Sequence, residues 1–245
     1  MIAVWILLGL LAVFVLYLIF LWICSLTVDP KKEYNENSPF FRSLLYFASG
    51  VVLFGARVKI RAQGIEQIPP GPVLFVGNHC SNFDPIIEWE ILKKWNPAFI
   101  SKPSNFRIPF YGRFIQRCCF MPIDRENPRN AITTLSRATA LLKKGEVSVA
   151  VYPEGTRSKT GELLPFHNVV FRPALKAGVP IVVLAIDGTT AIHRNFPFHR
   201  SVVDVRVVRV MPPEETAGMR TEAIGEAVRE SLLSAFSPEK SESNQ

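Results

Sequence analysis

The run Asn78-His79-Cys80-Ser81-Asn82-Phe83-Asp84-Pro85 places an imidazole and a carboxylate five positions apart, directly after the apolar stretch Val73-Leu74-Phe75-Val76. Histidine can take a proton from a hydroxyl near neutral pH. A carboxylate beside it fixes one tautomer and stabilises the charged ring. The end of a strand in an α/β sheet is where such sites usually sit. The same residues also admit a plainer reading. Asp84-Pro85 opens an amphipathic stretch from Ile86 to Leu92, with aspartate as N-cap and proline as first helical residue. On that reading Asp84 is a cap and His79 a loop residue. The two roles are compatible, because a carboxylate has two oxygens and capping occupies one.

A second block follows another apolar run. Val147-Ser148-Val149-Ala150-Val151 leads into Tyr152-Pro153-Glu154-Gly155-Thr156-Arg157-Ser158, which joins an acid, a flexible backbone position, a hydroxyl and a guanidinium. Arginine offers a bidentate fork to phosphate, and glycine lets backbone amides approach a ligand closely. A tight turn closed by a Glu154–Arg157 ion pair is the alternative. A P-loop is excluded, since Gly155 to Gly161 has the wrong spacing and Glu162 stands where lysine belongs. Between these blocks, Gly112 to Arg117 precedes Met121-Pro122-Ile123-Asp124-Arg125, so Asp124 and Arg125 also stand at a strand end. In a parallel sheet three such clusters converge on one edge, which favours a site over ordinary turn chemistry.

The elements that would position these groups alternate. Strands are expected at 58–61, 73–76, 98–101, 119–123, 147–151, 181–186 and 203–210, several of them continuous apolar runs suited to burial on both faces. A helix is expected from Asn127, with Pro128 as first residue and Gly145 as stop, burying Ile132, Leu135, Ala138 and Leu142. A last helix, about 221–236, sets Ile224, Val228 and Leu232 on one face. The pattern predicts an α/β fold, with a mainly parallel central sheet flanked by helices. The chain of 245 residues suffices for one substantial domain of this kind. Residues 58–236 would form it, and the polar stretch 237–245 reads as a disordered tail.

Residues 1–57 read as an N-terminal helical membrane-anchoring segment. From Ile2 to Cys24 there is no charged side chain and a single glycine, and about 20 apolar residues span a bilayer's hydrocarbon layer. No basic stretch precedes the run and no small-x-small cleavage site follows it, which disfavours a cleaved signal peptide. Lys31 and Lys32 lie just beyond it, placing the C-terminal side in the cytoplasm and the protein at the cell membrane. The second apolar stretch, 40–54, carries Arg42 and Gly50 and reads as a helix in the interface or packed beside the first. The net charge of +7 belongs entirely to the chain beyond residue 28 and suits phosphate-bearing partners, of which membrane lipid is the economical one. The four cysteines, Cys24, Cys80, Cys118 and Cys119, form neither a disulfide framework nor a zinc site.

The chain resembles the glycerolipid acyltransferases that carry the H-x4-D motif, especially the bacterial 1-acyl-sn-glycerol-3-phosphate acyltransferases. His79 to Asp84 is similar to their first block, with Cys80 where glutamine is frequent; Gly112 to Arg125 is similar to the second. Tyr152 to Ser158 is similar to the third, usually written F-P-E-G-T-R-S, and Val179-Pro180-Ile181-Val182-Val183-Leu184 to the fourth. The likeness covers roughly residues 58–210. Val183 replaces the fourth block's second proline, so the strand would continue where the family's bends. Phe166-His167-Asn168-Val169 stands where F-K-K-G is common, and Ser104 where glutamate is common.

The resemblance implies acyl transfer from acyl-CoA or acyl carrier protein to the sn-2 hydroxyl of lysophosphatidic acid, with no cofactor and no metal. His79 would be the general base and Asp84 its partner. Glu154, Gly155, Thr156 and Arg157 would bind the acceptor, with Arg117, Arg125 and Lys102 as further anion contacts. Three alternatives stay open. One is the same chemistry on another lysophospholipid or on glycerol 3-phosphate. Another is thioester or ester hydrolysis, disfavoured by the lack of a G-x-S-x-G elbow. The third is a non-enzymatic binder of anionic lipid or nucleic acid. Aromatic and basic residues interleave only at 193–200, which reads as an interfacial or acceptor-side loop or as plain surface, so nucleic acid is not an expected partner.

Overall fold

A computed structural model describes residues 1–124 and 127–236. Arg125, and the tail expected to be disordered, lie outside the described residues. In chain order the elements are α1 (Ile2–Leu26), α2 (Pro39–Gly55), β1 (Val58–Gln63), β2 (Leu74–Gly77), α3 (Asp84–Ile91), β3 (Pro97–Ser101), α4 (Tyr111–Arg117) and β4 (Met121–Pro122). They continue with α5 (Pro128–Lys144), β5 (Ser148–Val151), α6 (Arg172–Ala177), β6 (Ile181–Asp187), α7 (Ile192–Asn195), β7 (Ser201–Met211), α8 (Pro213–Thr216) and α9 (Thr221–Phe236).

The strands form one sheet in the order β1-β7-β6-β2-β5-β3-β4. β6, β2, β5, β3 and β4 are mutually parallel; β7 runs antiparallel to β6, and β1 parallel to β7. The central strands β2 and β5 are buried at every position, as strands covered on both faces must be. Their ends are level: Val76 pairs with Val151 on one side and Val183 on the other. Whatever follows β2, β5, β3, β4 and β6 therefore emerges along one edge. β6 does continue through Val183, and the irregularity falls in its pairing with β7, where the register shifts between Val183 and Leu184.

Two local expectations, the length of β4 and the burial of Ile132, do not hold. β4 is shorter than the expected 119–123, because Cys119 holds a left-handed backbone (φ 65°) and the chain is still turning there. α5 is capped as expected, the Asn127 side chain accepting from the Arg129 and Asn130 amides and Gly145 closing it at φ 81°. Its buried stripe is Thr134, Leu135, Ala138, Leu141 and Leu142; Ile132 is 62% exposed, lying beyond the two-residue edge strand β4. α9 buries Ile224, Val228 and Leu232 completely.

α1 is long and apolar enough to cross a membrane, and its apolar window is uncovered by the rest of the chain. This fits a membrane-associated protein. α2 docks on the domain. Its Arg42 is buried, donating to the carbonyls of Pro97 (3.0 Å), Asn96 (3.0 Å) and Cys118 (3.3 Å), with the guanidinium over Trp89. The charge that interrupts the second apolar run is thus a pin into the protein, while Phe40, Phe47, Val51, Val52 and Phe54 face outward. Both helices touch α4 at their linker ends: Arg113 donates to the Ser25 carbonyl, and Phe114 packs on Phe41. They meet again at Tyr17–Phe47, and so run antiparallel.

Candidate active site

The loop after β2 is bound to two other strand ends, those of β6 and β5. The Asn78 amide extends the sheet by exchanging hydrogen bonds with the Ile186 backbone at 2.9 and 2.8 Å, which locks the loop to β6. The His79 peptide is gripped on both sides by the turn after β5. Its N–H donates to Glu154 Oε1 (2.7 Å), and its carbonyl accepts from the Ser158 N–H (2.7 Å). The His79 ring stacks on Tyr152, centroids 4.2 Å apart and planes 9° from parallel. Gly155 makes the turn possible, at φ 70° where side chains are strained.

Asp84 is not the helix cap. Phe83 holds the N-cap position of α3, and the Asp84 carboxylate folds back into the preceding loop. Oδ2 accepts from His79 Nδ1–H (2.8 Å) and from the Cys80 and Ser81 amides (2.7 Å each); Oδ1 accepts from the Thr189 hydroxyl (2.6 Å). Since the carboxylate only accepts, Nδ1 of His79 is the donor, and in the neutral ring Nε2 is then the acceptor. The imidazole is partly exposed, at 18%, while Asp84 is 1% exposed. A ring so held presents a proton acceptor at the sheet edge, backed by a fixed negative charge.

Glu154 makes no ion pair with Arg157. Its second oxygen accepts from the Leu164 N–H (2.9 Å), so both oxygens are engaged by backbone. Burial raises its pKa, and these two donors oppose the shift. Thr156 and Arg157 are exposed on the same turn, and Arg157 has no ion-pair partner among the described residues. Lys102, also exposed, follows β3 at this edge. Arg117 is elsewhere: at the end of α4, before β4, its guanidinium lies 4.4 Å from the Tyr34 ring and 5.5 Å from that of Phe41, against the N-terminal linker. The structure therefore does not bring Arg117 to the His79 loop, and that expectation is corrected. Motif order located its block but not which end of β4 the arginine would occupy.

Sequence reasoning missed Thr189 as a partner of Asp84. It sits two residues past β6, in Asp187-Gly188-Thr189, another polar cluster at a strand end. Thr189→Val would leave the buried Asp84 Oδ1 without its donor, at a cost of about 1–3 kcal/mol. We expect a lower kcat and a lower melting temperature, both restored by Thr189→Ser, in paired kinetic and thermal measurements.

Beneath the ring lies a second acid. Glu88 is 1% exposed, and burial, with the Asp84 charge second, pushes its pKa well above the carboxylate range. The Tyr152 hydroxyl faces it, although neither that hydroxyl nor Glu88 Oε1 makes a well-formed hydrogen bond. Glu88 crowds Gly77, where a Cβ would lie 2.6 Å from Oε1, with the Tyr152 ring in ordinary contact. A raised native pKa contributes stability in acid that is lost as pH climbs from the unfolded value towards the native one. Glu88→Gln is neutral throughout, so its melting temperature should exceed that of the wild type increasingly towards alkaline pH. Melts across a pH series check this.

Cys80 adjoins the pair but is no activated nucleophile. Burial, then the Asp84 charge, push its thiol up to about 11, whereas a reactive cysteine needs the thiolate near neutrality. Cys80→Ser should retain activity, and iodoacetamide at neutral pH should inactivate the wild type only slowly.

An imidazole–carboxylate pair at the carboxyl edge of a largely parallel sheet, beside a glutamate-to-arginine turn with an uncommitted guanidinium, is an arrangement for deprotonating a hydroxyl near an anionic group. The Acyltransferase family model matches residues 59–187. The mouse protein named 1-acyl-sn-glycerol-3-phosphate acyltransferase alpha is 30% identical over 90% of this chain and 77% of its own length. The Escherichia coli protein of the same enzyme name is 30% identical over 66% of this chain and 64% of its own. A Brassica napus chloroplast relative is 38% identical over 55% of this chain, a match that spans only 39% of the plant protein. The chain belongs to this acyltransferase family. The fold also matches a crystal structure titled as the 1-acyl-sn-glycerophosphate acyltransferase PlsC of Thermotoga maritima, with a TM-score of 0.62, 23% identity and 79% of each chain covered.

Proposed function

We propose that the protein transfers a fatty acyl group from a thioester, acyl-CoA or acyl carrier protein, to the sn-2 hydroxyl of 1-acyl-glycerol-3-phosphate, forming phosphatidic acid. The observation that carries this reading is the His79–Asp84 pair clamped directly against the Glu154 turn. Nε2 of His79 takes the hydroxyl proton as the acceptor oxygen attacks the thioester carbonyl. Asp84 steadies the imidazolium that forms. When the tetrahedral intermediate collapses, the C–S bond breaks and His79 returns the proton to the departing sulfur. General-base help of this kind contributes about 10²–10⁴-fold. Arg157 and Lys102, exposed at the same edge, take the acceptor phosphate, with Arg125 as a further contact; Gly155 and Thr156 shape the turn that receives the glycerol. Glu154 acts through His79, holding its peptide.

Residues 1–57 serve as the anchoring segment and 58–236 as the catalytic domain, held on the cytoplasmic side of the cell membrane, where Lys31 and Lys32 lie. Acceptor and product stay in the bilayer; only the thioester arrives from solution. A second acceptor class is favoured by one feature: His167-Asn168-Val169 supplies no lysine beside the Glu154 turn, and the His167 amide is instead tied to the Pro153 carbonyl. A panel of acyl-CoA and acyl carrier protein donors against lysophosphatidic acid, other lysophospholipids and glycerol 3-phosphate tests the reading. Highest kcat/KM with lysophosphatidic acid is expected; preference for a different acceptor would overturn the substrate assignment, and thiol release independent of any acceptor would mark a hydrolase.

A further inference from the structure

The segment between β6 and β7 carries an aromatic and basic knob that the reaction does not use. Phe196 and Phe198 are 56% and 79% exposed, and His193, Arg194, His199 and Arg200 are exposed around them. No acidic residue occurs from 188 to 203. Large apolar side chains this exposed, ringed by one sign of charge, mark an interaction surface.

The knob is built to hold its shape. Ile192 is fully buried beneath it. The Phe196 amide donates to the Ile192 carbonyl (2.9 Å) and the His199 amide to the Asn195 carbonyl (2.7 Å). The Asn195 side chain bonds Ser201 Oγ at 3.0 Å. It is also joined to the two features that fix its surroundings. Arg57, just past α2, donates to the Phe198 carbonyl (3.2 Å), beside Phe54 at 87% exposure. His193 packs edge-on against Phe83 of the His79–Asp84 loop, centroids 5.2 Å apart.

Because α1 and α2 are antiparallel, the end of α2 points the way the uncovered amino-terminal half of α1 projects. Phe54, Arg57 and Phe198 therefore continue the lipid-facing side of the helix pair onto the rim of the site. We propose that residues 193–200, with Arg57, are a second membrane contact. Phe196 and Phe198 enter the interface of a bilayer while the arginines meet anionic headgroups, which turns the mouth of the site towards the lipid surface. A bilayer surface is the occupant because the charge is complementary and the patch is continuous with the apolar helices.

α1 anchors the chain in any case, so the test reads orientation rather than binding, and it needs no turnover. Its failure is therefore distinct from failure of the acyltransferase reading. The full chain, carrying p-trifluoromethylphenylalanine in place of Phe198, is placed in nanodiscs of phosphatidylcholine with and without phosphatidylglycerol. Fluorine line broadening by doxyl-labelled lipid is compared with that by an aqueous gadolinium chelate. The same label in place of Lys176, exposed before β6 at the opposite edge of the sheet, is the control. We expect position 198 to be broadened more by the lipid probe than by the chelate, and the contrast to grow with phosphatidylglycerol. The Arg194→Glu/Arg200→Glu variant, melting as the wild type does, should lose that growth. Broadening at 198 by the chelate equal to that at 176 would overturn the proposal, as would indifference to phosphatidylglycerol.

Discussion

Replacing His79 with alanine is expected to lower acyl transfer by about 10²–10⁴-fold, the range for loss of a positioned general base. The variant should still fold. Asp84 keeps the Cys80 and Ser81 amides and the Thr189 hydroxyl as donors, and the main chain at 79 keeps both bonds to the Glu154–Ser158 turn. What disappears is Nε2 and the face that stacks on Tyr152. Affinity for the acceptor should change little, because the exposed Arg157 and Lys102 are untouched. The loss should therefore fall on kcat, measured by thiol release alongside a thermal melt.

Asp84→Asn separates geometry from charge and should also cost about 10²–10⁴-fold, the range for loss of effective general-base help. An asparagine oxygen in the place of Oδ2 can accept from His79 Nδ1, Cys80 and Ser81, while its amino group faces Thr189, whose hydroxyl can turn to accept. The reverse orientation would set N–H groups against three N–H donors. The loop thus survives, but the imidazolium formed during transfer loses the negative charge beside it. A melting temperature near that of the wild type with a collapsed kcat is the expected pair of results. If the Asp84→Asn variant unfolds, the residue's role is structural.

Much of this was legible in the residues. The alternation of strands and helices, with three strands ending in polar clusters, implied a parallel block with a site along one edge, and β2, β5, β3, β4 and β6 form that block. Direction was not legible for β1 and β7: an apolar run reads the same in either sense, and only the connection through α7 turns β7 back. Asp84 reads as a cap because Asp-Pro before an amphipathic run is a cap's signature. Its true partners include Thr189, 105 residues away, and no local pattern reports such a contact. Arg42 reads as a flaw in an apolar helix, yet it is buried against three carbonyls of the domain. Glu88 lies within a stretch that reads only as amphipathic. It is instead enclosed with Tyr152, whose hydroxyl stands where the family's third block usually has phenylalanine.

In the proposed reaction His79 activates the acceptor hydroxyl for direct attack on the thioester. Rapid-mixing measurement of thiol release, with donor alone and with donor plus lysophosphatidic acid, tests it in wild-type and His79→Ala protein. Release is expected only when acceptor and His79 are both present, with phosphatidic acid formed in step. A stoichiometric burst of thiol from donor alone, or undiminished transfer without His79, would contradict it.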